Sequence, residues 1–148
     1  MKNNGLFDNG RNLFALGEIK WKPNGSNIKA ILIDPTQYTP DLSQHKKLSD
    51  IPFKAIIPVS RSRDLSQMPE LSLITATNGI CDASDLMFKK VTKGHKIGYL
   101  ILINDTGNDE ENDLICCCNI GADDNFFLSS GRPIIISWSN MPNKIFKL

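Results

Sequence analysis

Residues 96–119 read Lys96-Ile97-Gly98-Tyr99-Leu100-Ile101-Leu102-Ile103-Asn104-Asp105-Thr106-Gly107-Asn108-Asp109-Glu110-Glu111-Asn112-Asp113-Leu114-Ile115-Cys116-Cys117-Cys118-Asn119, and this stretch decides the fold class. Two short apolar runs rich in branched side chains flank an acidic interval that contains a glycine. Runs of this length bounded by turn residues read as buried strands, and the interval reads as a solvated loop that joins them. Neither run approaches the ~20 apolar residues that a membrane helix needs. No membrane partner is expected.

The same pattern recurs on both sides. Strand-like stretches are predicted at 18–22, 28–33, 54–59, 70–76, 80–81, 86–91, 134–138 and 144–148. Asn78-Gly79, Lys93-Gly94, residues 121–125 and Ser129-Ser130-Gly131 supply turns between them. Residues 18–22 alternate polar and apolar, Pro23-Asn24-Gly25-Ser26 turns the chain, and 28–33 follows, which predicts a hairpin. One helix is predicted near residues 9–16, with Asp8 or Asn9 as its cap and Gly17 in the left-handed position that commonly ends a helix. Residues 35–52 hold Pro35, Pro40 and Pro52 without strand periodicity, so they read as a long connection with a turn of helix at 43–48. The expectation is a mainly β protein: a single antiparallel β-sandwich or barrel-like domain over residues 1–148 with one short N-terminal helix.

Composition narrows the function. The 148 residues are 41% hydrophobic and 22% charged, a balance that argues against disorder and suits one domain. With 17 Lys+Arg against 16 Asp+Glu, the chain lacks the basic excess of a general nucleic-acid binder, so no specific nucleic acid is expected. The charge is unevenly placed. Residues 1–100 carry 14 basic and 9 acidic side chains, whereas residues 101–148 carry 3 and 7. Such a dipolar chain suits self-association or docking on a charged surface. No apolar segment of signal-peptide length precedes Asp8, and synthesis without export is the expectation.

Catalytic signals are sparse. His45 and His95 are 50 residues apart and each is flanked by lysine, which reads as two exposed loop histidines. Phosphate-cradling glycine patterns are absent, and no cofactor is expected. Four cysteines, Cys81 and the run Cys116-Cys117-Cys118, lack metal-ligand spacing and read as buried or half-buried strand residues, reduced and without structural metal. The loop 105–113 carries five carboxylates that are suited to calcium, but their order does not match an EF-hand, and a structural turn is the plainer reading. Asp105-Thr106-Gly107 alone does not make an aspartic-protease dyad, which needs two such loops.

Surface-forming residues are the stronger candidates. His45, Lys46, Lys47, Lys54, Arg61 and Arg63 cluster around Phe53, a composition suited to an acidic protein patch. Trp21 and Trp138 lie in strand-like alternation and read as core or subunit-interface anchors. In the terminal segment Phe146 and Leu148 share one strand face, Ile145 takes the other, and the strand can complete its own sheet or a neighbour's. Trp21, Phe53, Trp138, Ile145, Phe146 and Leu148 are therefore the candidate interface.

Several motifs together resemble a family of small virion structural proteins of tailed bacteriophages. They are the helix containing Gly10-Arg11, Gly17-Glu18-Ile19-Lys20-Trp21, Ile28-Lys29-Ala30-Ile31-Leu32-Ile33-Asp34 leading to Tyr38, and Leu48-Ser49-Asp50-Ile51-Pro52. Asp82-Ala83-Ser84-Asp85-Leu86-Met87-Phe88, Asp105-Thr106-Gly107, the 131–138 strand and the ending Asn143-Lys144-Ile145-Phe146-Lys147-Leu148 continue the series. The chain departs from the family pattern in the triple cysteine and in residues 58–69. The resemblance implies a non-enzymatic particle component, assembled in the cytoplasm of a bacterial host, of the head auxiliary or decoration type. Its implied partners are the major capsid protein or other virion proteins and further copies of itself as a homo-oligomer. A tail or neck subunit would share this chemistry. A host-glycan-binding module would instead use Tyr38 with Asp41, or Phe126-Phe127 beside Asp123-Asp124.

Overall fold

The computed structural model describes residues 4–108, 110–121, 125–138 and 144–148. Along them run β1 (Gly5–Leu6), α1 (Asp8–Ala15), β2 (Ile28–Ile33), β3 (Thr75–Thr77), β4 (Ile80–Asp82), β5 (Leu86–Phe88), β6 (Lys96–Ile97), β7 (Tyr99–Asn104), β8 (Asp113–Asn119), β9 (Phe127–Leu128), β10 (Ile134–Ile136) and β11 (Phe146–Lys147). The protein is mainly β, with one α-helix among the described residues, and the described strands pair antiparallel. Among the described residues no sheet closes on itself.

The stretch 96–119 forms the centre of the fold. β7 and β8 are a hairpin with Tyr99 opposite Asn119 and Asn104 opposite Asp113, and a bulge falls between Leu102 and Ile103. β2 pairs along the other edge of β7, and β1 along the far edge of β8, which gives the order β1-β8-β7-β2. Ile31, Leu32, Ile33, Leu100, Ile101, Leu102, Ile103, Leu114 and Ile115 have no exposed surface, so both faces of this sheet are covered. Covering both faces explains why these strands read as continuous apolar runs rather than alternating ones. Each such side chain contributes roughly 1.5–3 kcal/mol on burial.

The helix packs on β8 at van der Waals limit. A Cβ on Gly10 would lie 2.7 Å from the Ile115 carbonyl oxygen, so only glycine allows this approach. Gly17 takes φ +74° just after the helix, as its position predicts. The cap differs from the expectation. Phe7 occupies it, and Asp8 lies in the first turn, where its charge favours the helix dipole.

Several predicted strands are shorter or absent. Residues 18–22 form no strand and do not pair with 28–33. Lys20 instead closes a compact turn, its carbonyl accepting from Ser26 N–H at 3.0 Å and its N–H donating to Ser26 Oγ at 2.7 Å. The predicted strand 54–59 is a single 3-10 turn at Phe53–Ala55 followed by isolated bridges at Ile56 and Val59. Glu70 makes one bridge, and regular strand begins only at Thr75. The first apolar run of 96–119 is interrupted at Gly98, where a Cβ would meet Asn125 O and Pro35 Cγ, each at 2.6 Å. The predicted turn of helix at 43–48 is a turn at 42–44 and a 3-10 turn at Leu48–Asp50. β1 and β9, two residues each, are too short to leave a periodic trace.

Candidate protein-docking site

The connection between β2 and β3 covers the outer edge of β2. Ile57 N–H donates to Leu32 O at 2.9 Å, Leu71 N–H to Ile28 O at 2.8 Å, and Ala30 N–H to Pro69 O at 3.1 Å. An edge strand that would otherwise template pairing with another chain is thereby blocked along its length. In following that edge, the connection leaves a cleft of about 410 Å³. Buried Ile51, Ile56 and Leu65 line it together with Leu48, and Arg63, Asp64 and Glu110 supply its polar rim.

Phe53 stands at the lip. Pro52 accepts from Ala55 N–H at 2.9 Å and opens the 3-10 turn, which sends Ala55 into the core and leaves Phe53 62% exposed. The Arg63 guanidinium carbon lies 5.7 Å from the Phe53 ring centroid, and Arg63 Nε donates to Ile56 O at 2.8 Å. A guanidinium anchored at one nitrogen thus holds the exposed ring by a cation–π contact. Such a ring is ordered before any partner arrives, which lowers the entropic cost of binding.

The other sequence candidates fall elsewhere. Trp21 and Phe146 come together at 5.0 Å, edge to face, and Phe14 completes the cluster at 5.6 Å from Phe146. Trp21 lies in a loop rather than a strand, half-buried, with Nε1 donating to Thr75 O at 2.9 Å. β11 pairs within its own chain, Phe146 opposite Cys81 and Lys147 opposite Ile80. Ile145 and Phe146 are both buried whereas Leu148 is 55% exposed, so the alternation expected of an extended strand over 145–148 is not kept; regular strand covers only Phe146–Lys147. Trp138 is wholly buried, with Nε1 donating to Ser84 O at 3.1 Å; of its two readings, core is the one it fills. Phe53 and Leu148 are thus the two candidates that present substantial apolar surface.

The histidines hold turns. His45 is half-buried, and its Nδ1 lies 2.7 Å from Tyr38 Oη and accepts from Asp41 N–H at 3.0 Å. His95 Nε2 meets Thr92 Oγ1 at 3.0 Å. Neither is the free loop residue that its lysine neighbours suggest. Tyr38 is buried, and burial, with smaller effects of Cys117, Asp50 and Asp41, pushes its hydroxyl above the usual phenol range. A sugar cannot stack on it. Phe126 lies under Lys96 Nζ at 5.4 Å, while Asp123 and Asp124, its proposed glycan partners, lie outside the described residues, as do Asp109 and Asn143.

All four cysteines are buried free thiols. Cys116, Cys117 and Cys118 alternate along β8, yet every one is covered because both sheet faces are packed. Burial pushes Cys81 up to about 11 and raises Cys117 further. Cys116 is raised by burial, while its thiol donates to Cys118 and lowers that neighbour. In the acidic loop two side-chain oxygens bond to the turn's own backbone. Asn112 Oδ1 accepts from Thr106 N–H at 2.8 Å, and Asp105 Oδ1 from Gly107 N–H at 3.0 Å. Among the described residues no group of three His, Cys, Asp or Glu is placed to hold a metal ion. No described helix is long and apolar enough to cross a membrane.

Comparison with family models, curated proteins and solved structures returns no match. The site is therefore read from its own chemistry. Sequence reasoning found Phe53 and Arg63 but missed the cleft lining of Leu48, Ile51, Ile56, Leu65 and Glu110. The available signal was Ile51-Pro52-Phe53, an apolar cluster inside a connection with no periodicity to bury it.

Proposed function

We propose that this chain is a non-enzymatic structural component of a tailed bacteriophage particle, a head auxiliary or decoration protein that binds the capsid surface and itself. The sequence resemblance supports the setting, and the exposed, arginine-clamped Phe53 beside an apolar cleft supports the mode of binding. A partner side chain of aliphatic or aromatic type enters the cleft between Leu48 and Leu65, and Phe53 seats against the partner's surface. Central, pre-ordered aromatic anchors of this kind carry ~2 kcal/mol or more of an interface's binding energy. The major capsid protein is the partner proposed, with other virion proteins next.

The test is quantitative mass spectrometry of purified particles made from the genome that encodes this chain. Hundreds of copies per particle are expected. A dozen or fewer would place it in the neck or baseplate instead, and its absence from particles would overturn the proposal. A tail-tube position would share the high copy number, and cryo-electron microscopy separates the two.

A further inference from the structure

We infer that a second copy of this chain docks by Glu110 and Glu111 of its acidic turn into a cationic groove lined by Arg61, Lys89, Lys90 and Lys93. This rests on the reading of the protein as a self-associating subunit and names the two surfaces involved. The groove, about 580 Å³, is walled by those four cations with Ser60, Val91, Thr92 and Gly131, and no carboxylate lines it. The ion pairs present among the described residues are Lys29–Asp105 and Lys47–Asp113, so none of the four cations pairs with a described carboxylate.

Both walls are rigidly built. On one, Val59 and Ser62 exchange backbone hydrogen bonds at 2.8 and 3.0 Å around Ser60 and Arg61, which are both left-handed at φ 52° and 62°. L-residues adopt that conformation at a cost, and here Ser60 N–H donates to Lys90 O at 2.9 Å and ties the turn to the opposite wall. On the other, Ser129 staples the 92–95 turn: its Oγ donates to Thr92 O at 2.6 Å and accepts from His95 N–H at 2.9 Å, and its carbonyl accepts from Gly94 N–H at 2.9 Å. The turns that carry Arg61 and Lys93 are thus fixed by backbone hydrogen bonds.

The acidic turn is equally pre-ordered. Asn112 is fully buried beneath it, Asn108 Oδ1 accepts from Glu110 N–H at 3.0 Å, and Asn108 O from Glu111 N–H at 2.9 Å. Glu110 and Glu111 are exposed and take part in neither of the two ion pairs. Lys93 lies just before β6 and the acidic turn just after β7, so these two flank a nearly continuous strand of roughly 25 Å. Among the described residues neither Glu110 nor Glu111 pairs with a groove cation in its own chain, and between copies groove and turn make a head-to-tail contact, which closes as a ring or continues as a filament.

The experiment is sedimentation velocity on the purified full chain in ~50 mM and ~500 mM salt, with two charge-reversed variants, K89E/K93E and E110K/E111K. Wild type is expected to associate, about tenfold or more weakly at the higher salt, and each variant alone to be monomeric. Mixing the two variants restores association, because the reversed groove of one fits the reversed turn of the other. Association that survives both reversals, or a mixture that stays monomeric, overturns the inference while leaving a self-associating subunit standing. A wild-type chain that stays monomeric but binds inorganic polyphosphate through the groove also overturns it. Particle composition is read separately, so failure of the virion proposal is distinguishable. K20E/K22E, which reverses two exposed lysines outside groove and turn, is the control and leaves the salt-dependent association unchanged.

Discussion

The Phe146 ring meets Trp21 edge to face at 5.0 Å, and this contact ties the last strand to the loop that follows the helix. The terminal strand therefore completes its own sheet rather than waiting for a neighbour's. Phe146→Ala is expected to cost about 3–5 kcal/mol, the range for deleting a buried aromatic ring. A denaturant midpoint lowered accordingly, with Trp21 emission shifted to the red, is the expected record. Removal of residues 144–148 follows the same direction and destabilises the fold.

Gly10→Ala tests the seat of the helix. Alanine favours a helix over glycine by roughly 1 kcal/mol. Here its methyl would press on the Ile115 carbonyl, backbone in the middle of the central sheet, which cannot yield cheaply. Net destabilisation of about 1–3 kcal/mol is expected from overpacking. A variant more stable than wild type in urea would contradict the helix placement.

The thiols report on the core. Cys81, Cys116 and Cys117 are buried with raised pKa values, and Cys118, though lowered, is covered as well. Reaction with a thiol-specific reagent at neutral pH is expected to be slow and to follow unfolding, since reactivity requires an accessible thiolate. One cysteine labelled rapidly in the native protein would show that a face of β8 opens.

Asp50 sets an acid limb. Its carboxylate accepts from Lys47 N–H at 3.0 Å and from Lys46 N–H at 2.7 Å, and these bonds, that from Lys47 foremost, hold it below the usual 3.8. The folded value lies below the unfolded one, so the contribution is present above the unfolded pKa and is lost as pH falls through the folded value. Asp50→Asn is expected to cost about 1 kcal/mol between pH 5 and 7, with the difference from wild type shrinking below about pH 4. A constant difference down to pH 2 would contradict this role.

Much of the fold was legible because its central strands are covered on both faces. Residues 28–33, 99–104 and 113–119 carry so much branched apolar surface that only buried strands accommodate them. The helix was legible from Gly17. The turn at 18–26 was not, because Ile19 and Trp21 alternate as a strand would, while their burial comes from packing against α1 and Phe146, which no local pattern records. The cleft was half legible. Phe53 and Arg63 are visible as types, but Leu48, Leu65 and Glu110 reach it from three separate stretches, and only the path of the chain around the β2 edge unites them.

The most direct measurement is competition between wild type and Phe53→Ala for incorporation into particles, scored by mass spectrometry of a distinguishing peptide. The ring is 62% exposed, so its loss is expected to change folding stability by less than about 0.5 kcal/mol. Removal of an interface anchor worth ~2 kcal/mol is expected to disfavour the variant about thirtyfold. Equal incorporation of two equally stable chains would contradict docking through the Phe53 cleft.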